Sequence, residues 1–142
     1  MDPLSITASV IAILQISGAI ITICYDYRSR IKDAQKEASR IINGLNGLRH
    51  VLDSLFVLLE DESEHKPGQR SALDKLVGDD GPLGRCLVEL KALEKKLKPK
   101  EGWRAAKASI LWPLNNSDVK KVLQDIDSTK STIQLALAVD QR

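Results

Sequence analysis

Two histidines, two cysteines and nineteen carboxylates are the residues of this chain that could do chemistry. His50 and His65 each stand apart from any cysteine, serine elbow or second ligand at metal spacing. Cys24 and Cys86 form no redox pair or metal motif and no disulfide framework, which suits a reducing compartment. Cys24 lies in an apolar run and is expected to pack as a small hydrophobe. No carboxylate pair falls inside an apolar segment where burial could tune it for acid–base work. Gly78, Gly81 and Gly84 do not follow a strand, so they do not read as a phosphate-cradling loop. An enzyme is not expected, and no cofactor is implied.

What the chain has instead is a long uncharged stretch. No charged residue occurs between Pro3 and Tyr25, and branched aliphatics fall on every side of a helical wheel. Ser5, Thr7, Ser9, Gln15, Ser17 and Thr22 point in scattered directions, so no wet face is evident. A helix apolar all round belongs in the centre of a bundle or in a membrane. About 22 residues at 1.5 Å each give roughly 33 Å, the thickness of a bilayer's hydrocarbon. The first basic residue, Arg28, follows the run, which argues against a cleaved signal peptide. A permanent anchor is the weaker alternative, because six hydroxyl or amide side chains and Gly18 make a poor span.

The second chemical feature is basic. Between Arg85 and Lys107, eight basic residues (Arg85, Lys91, Lys95, Lys96, Lys98, Lys100, Arg104, Lys107) stand against three acids (Glu89, Glu94, Glu101), with Trp103 among them. Such a patch suits an anionic-lipid surface, and a solvated helix face is the plainer alternative. The whole chain carries only +2, too near balance for a nucleic-acid binder.

The elements that must position these features are helices. One domain suits 142 residues. Asp2 and Pro3 open the first helix, expected to end near residues 24–26. Apolar residues at spacings of three and four, from Ile31 through Leu45 and Leu52 to Leu59, predict a second helix from about Arg28 to Leu59. Gly44 and Gly47 inside it suggest close approach of the first helix, or a hinge. An acidic loop follows at residues 60–68, then a short helix over 69–77 and a turn at 78–82. Pro82 starts a helix that ends at Lys98-Pro99, with Leu83, Leu87, Leu90, Leu93 and Leu97 in one stripe. A short helix is predicted over 101–111. Asn115, Asn116 and Ser117 offer caps for the last, over 118–139, whose stripe is Val119, Val122, Leu123, Ile126, Ile133 and Leu137. The expected fold is an all-α bundle of five or six helices, with the hydrophobic first helix at its centre and packed by the second and the last.

The opening MDPLSITASVIAILQISGAI, the Tyr25-Asp26 step, Gly81-Pro82-Leu83, Lys98-Pro99 and Leu111-Trp112-Pro113 together resemble the fungal HeLo-like N-terminal domain of STAND proteins. These are NOD-like receptors with a central nucleotide-binding module and C-terminal repeats. The resemblance covers nearly the whole chain and implies the N-terminal module of a larger receptor, with the nucleotide-binding module C-terminal to residue 142. It implies a domain that is cytoplasmic at rest and assembles with copies of itself when activated. The first helix is then released into an anionic phospholipid membrane, the plasma membrane. Permeabilisation follows, giving programmed cell death in incompatibility or innate immunity. The inserting residues would be Leu4, Ile6, Val10, Ile11, Ile13, Leu14, Gln15, Ile16, Gly18, Ile20 and Ile21. Some relatives carry an acid within this helix. Here Asp2 is the only acid before Asp26, so Gln15 and the hydroxyls would line any lumen. The alternative is a signalling adaptor that pairs with like domains and does not touch lipid.

Overall fold

A computed structural model describes residues 3–60, 81–98 and 112–138. Among them are four α-helices and one 3₁₀ turn, with no strand. The chain runs α1 (Pro3–Arg30), a 3₁₀ turn (Lys32–Ala34), α2 (Gln35–Glu60), α3 (Pro82–Leu97) and α4 (Asn116–Ala138). The short helices predicted over 69–77 and 101–111, and the acidic loop, lie outside the described residues.

α1 is longer than the sequence suggested. It continues through Tyr25 and Asp26, because Tyr27 is buried on the same face as Ile20 and Cys24. Asp26 and Arg30 pair at 3.0 Å one turn apart, and Arg28 and Arg30 sit at the helix C-terminus, where the dipole favours cations. The break falls at Ile31, whose backbone is extended (φ −122, ψ 113), and its N–H donates to Tyr27 O at 2.8 Å. The second helix therefore starts at Gln35 rather than Arg28.

α1 packs mainly against α2 and α3, and α4 packs mainly against the same two. The helices alternate in direction, and α1 and α4 occupy opposite corners. Tyr27 near the end of α1 meets Leu97 at the end of α3, while Lys96 at the end of α3 meets Asp118 at the start of α4. Among the described helices the first is therefore not at the centre, and its main neighbours are α2 and α3 rather than the last. It forms one side of the bundle. Its large branched residues turn inward, and the neutral residues Ala8, Ile11, Gln15, Thr22 and Tyr25 turn to solvent.

The core is built from Val10, Ile13 and Ile20 of α1, Ile41, Leu45, Leu48, Leu52 and Leu55 of α2, Leu83, Leu90 and Leu97 of α3, and Val119, Ile126 and Ile133 of α4. Each such side chain contributes about 1.5–3 kcal/mol on burial. The predicted stripes of α2, α3 and α4 are thus largely the inward faces, with Val122, Leu123 and Leu137 only half-buried and Ala136 buried beside them on α4. Cys86 is buried on α3 where Leu87 is only half-buried, and Thr129 is buried on α4. α4 opens with a reciprocal cap. Asp118 N–H donates to Asn115 Oδ1 at 2.7 Å, and Asn115 N–H donates to Asp118 Oδ2 at 3.2 Å.

The two glycines of α2 do not approach α1. A methyl group at Gly44 would meet Leu123 Cδ2 at 3.3 Å and Ile126 Cδ1 at 3.8 Å, both on α4. One at Gly47 would meet only Lys130, at 3.5 Å from Nζ. Helix propensity favours Ala over Gly by about 0.8–1 kcal/mol at either position. Gly47→Ala is expected to gain most of that in urea unfolding, since a lysine tip moves freely. Gly44→Ala is expected to gain less, because Leu123 must shift. Gly44→Val is expected to destabilise by about 1–3 kcal/mol through overpacking. Equal gains at the two positions would show that the α2–α4 approach is looser than these distances.

Candidate functional site

Two surfaces carry the residues singled out by sequence. The first is α1. Ile6, Val10, Ile13, Ile16, Ile20 and Ile21 are buried, Leu14 and Gly18 are half-buried, and Ile11 and Gln15 are exposed. Leu4 lies in α1, with its side chain outside the described residues. The inserting set thus covers both faces of one helix, and only its inward half is held by the bundle. Residues Ile6–Arg30 are long and apolar enough to cross a membrane by length and composition. The core helix of a soluble protein meets the same test.

The outward face of α1 owes its tolerance of water to small and neutral side chains rather than to charge. Ala8, Gln15 and Thr22 replace the aliphatics there, and Thr22 Oγ1 donates to Gly18 O within the helix at 3.0 Å. The inward face holds one misfit. Ser17 is fully buried and its hydroxyl has no hydrogen-bond partner. An unmet buried hydroxyl costs about 1–3 kcal/mol.

The second surface is α3, where the basic patch divides. Lys91, Lys95 and Lys98 are exposed on the side away from α4. Lys96 points to α4 and pairs with Asp118 at 2.9 Å. The hydrogen bond from Lys96 holds the Asp118 carboxyl below its usual range, helped by the Asn115 backbone. Arg85 lines the α3–α4 seam with Glu89, Asp125 and Thr129. Two of the five described cations therefore belong to a seam between helices, and three form a free basic face. Lys100, Trp103, Arg104 and Lys107 lie outside the described residues.

The seam contains a titratable pair that sequence reasoning missed. Glu89 of α3 and Asp125 of α4 line the same seam, 36 positions apart in the chain. No local spacing could have signalled it. They rim a groove of about 200 Å³ whose floor is Leu90, Leu93, Leu114, Val122 and Ile126. Partial burial pushes the Glu89 carboxyl up, and the Asp125 charge adds to this, while Lys121 and Arg85 oppose it. Cys86 also lines the groove, with its thiol pushed up to about 11 by burial, and Cys24 is pushed up to about 12. Neither is a reactive thiolate near neutral pH. His50 is exposed on α2, and His65 lies outside the described residues. Among the described residues, no three His, Cys, Asp or Glu side chains group to hold a metal ion.

The family described as pigment biosynthesis cluster protein PigL N-terminal matches residues 1–140. The chain belongs to that family. The match spans all four helices and both surfaces, and agrees with the expectation of a fungal helical domain. No curated protein and no solved structure matches the chain. The surfaces of this PigL N-terminal domain must therefore be read from their own geometry.

Two outcomes follow for the α3 surfaces. Because the Glu89 carboxyl is raised in the folded state, its contribution to stability is fully present below the unfolded carboxylate range and is lost as pH rises through the folded value. Asp125→Asn is therefore expected to raise the melting temperature at pH 7 more than at pH 4. A gain that is independent of pH would show that the Asp125 charge does not act on Glu89. Reversing Lys91, Lys95 and Lys98 together to Glu is expected to leave the melt unchanged, since all three are exposed. At about 1 kcal/mol per basic residue near an anionic surface, it is expected to weaken vesicle binding by about a hundredfold or more. Unchanged co-sedimentation with anionic vesicles would leave these lysines as a solvated face.

Proposed function

We propose that this domain is the N-terminal effector module of a larger receptor of the HeLo-like kind, which permeabilises membranes when it assembles. At rest it is a cytoplasmic bundle of five or six helices. A C-terminal nucleotide-binding module drives assembly of several copies. The basic face of α3 meets anionic phospholipid at the plasma membrane, and α1 leaves its place to enter the bilayer, leading to programmed cell death. The module has no catalytic role, no cofactor and no nucleic-acid partner.

The observation that carries this reading is the position of α1. A helix of membrane-spanning length lies along one side of the bundle, with Ile11 and Gln15 already at the surface. Removing it would require separation from α2 and α3 but not passage through a closed core. The free face of Lys91, Lys95 and Lys98 on the adjacent helix would bring α1 near an anionic surface.

Gln15 separates the resting fold from the inserted one. It is exposed in the bundle, so Gln15→Glu is expected to melt like the parent. In a bilayer the same charge would stand near the middle of the span, at a cost of about 2.5–3.5 kcal/mol. Dye leakage from anionic vesicles, and killing on expression in a host cell, are expected to fall by about a hundredfold. Parental leakage from a normally folded Gln15→Glu domain would remove α1 as the membrane-crossing element. A domain that oligomerises without leaking vesicles would be an adaptor instead.

A further inference from the structure

At one end of the bundle, α1 and α3 finish while α2 and α4 begin. Side chains from separate parts of the chain meet there. The Tyr27 hydroxyl donates to Leu97 O at 2.7 Å in a buried bond. The Trp112 ring meets the Tyr27 ring edge-on, with centroids 5.2 Å apart and planes at 82°. Trp112 Nε1–H donates to Glu37 Oε2 at 2.8 Å. The first bond ties α1 to α3, and the other two contacts tie α1 and α2 to the residues that lead into α4.

We propose that Tyr27, Trp112 and Glu37 form an autoinhibitory latch that locks α1 into the bundle and couples it to the start of α4. The inference rests on the reading that α1 leaves the bundle, but the latch can be measured without a membrane. Three observations support it. α4 packs mainly on α2 and α3, so Trp112 gives the start of α4 a hold on α1 at the opposite corner. Trp112 itself is kept in place just ahead of the Asn115–Asp118 cap, which Lys96 also grips. The middle of α1, by contrast, is held by aliphatic packing. Ser17 is buried without a partner, and a methyl group at Gly18 would meet nothing within 4 Å.

The bonds differ in how they can be opened. Burial pushes the Tyr27 phenol above its ordinary value, with Asp26 adding to the effect, so it remains a donor at neutral pH. Trp112 and Glu37 are half-buried at the surface end of the cluster. A partner that draws Trp112 away removes the carboxylate bond and the ring contact in one movement, and leaves Tyr27 held by a single bond to Leu97. The latch is thus reached from outside through the tryptophan.

Hydrogen exchange on the full chain tests this. Glu37→Ala removes the acceptor of the Trp112 bond, and Trp112→Phe removes its donor. Each is expected to speed exchange of the α1 amides over residues 6–24 by about tenfold, while the α2 amides over 41–55 keep their protection. The double variant is expected to match either single one, because both remove the same bond. Glu37→Gln, which keeps an acceptor oxygen, is expected to restore most of the protection. Equal acceleration of α1 and α2 would overturn the latch, since the cluster would then be ordinary packing. Unchanged exchange in α1 would overturn it as well. Leakage measured on the same variants is a separate readout. A loosened α1 that leaves vesicles intact keeps the latch and removes the membrane reading.

Discussion

The constraint on which this structure depends is an uncharged helix that must be kept from water with no charge to anchor it. From Pro3 to Tyr25 the chain offers no ion pair, so its place is fixed by shape and aliphatic contact. The bundle meets that demand on one side only. Val10, Ile13 and Ile20 are packed by α2 and α3, and the other side is made tolerable by Ala8, Gln15 and Thr22. Contacts between aliphatics are non-directional, so they stabilise α1 without fixing its register or its end. Direction comes from the Tyr27 bond at the far end, where the helix first acquires charged side chains.

That end of the molecule is also where the electrostatics agree. α1 and α3 present their C-termini there, with Arg28, Arg30, Lys95 and Lys96 nearby. α2 and α4 present their N-termini, with Glu37 and Asp118 in their first turns. Each charge matches the helix end it sits on, and opposite ends lie side by side. The two carboxylates serve twice. Glu37 accepts from Trp112, and Asp118 accepts from both Asn115 N–H and Lys96. The polar order of the fold is therefore gathered at one end, and the seam holding Glu89 and Asp125 lies further along α3 and α4.

Local features were legible in the sequence. The stripes of α2, α3 and α4, the start at Pro82 and the cap at Asn115 depend on residues within one or two turns of each other. What could not be read depends on which helices meet. The stretch Tyr25-Asp26-Tyr27-Arg28 looks like the end of an apolar helix, and only Leu97, 70 residues away, makes Tyr27 a core residue. Gly44 indicates a close neighbour, but the sequence does not say that the neighbour is Leu123. The basic run likewise reads as one patch, because composition carries no face. Rotation of α3 against α4 assigns Arg85 and Lys96 to the seam and leaves Lys91, Lys95 and Lys98 free.

The same rotation links the two surfaces. α3 has α1 on one flank and α4 on the other, and its exposed lysines lie on the side away from α4. A helix that carries the basic face therefore also carries Leu97, the carbonyl that holds Tyr27. Force on α3 from an anionic surface would act on that bond directly, whereas force on the start of α4 would act through Trp112. Tyr27 is the residue at which both routes converge. It is also the first buried aromatic after the uncharged run, so the polar hold on α1 begins where the membrane-length stretch stops. Two directional contacts of α1, Tyr27 to Leu97 and Arg28 to Ser39, fall within its last turn, so under the proposed release they would part at the end of the helix rather than along the uncharged run.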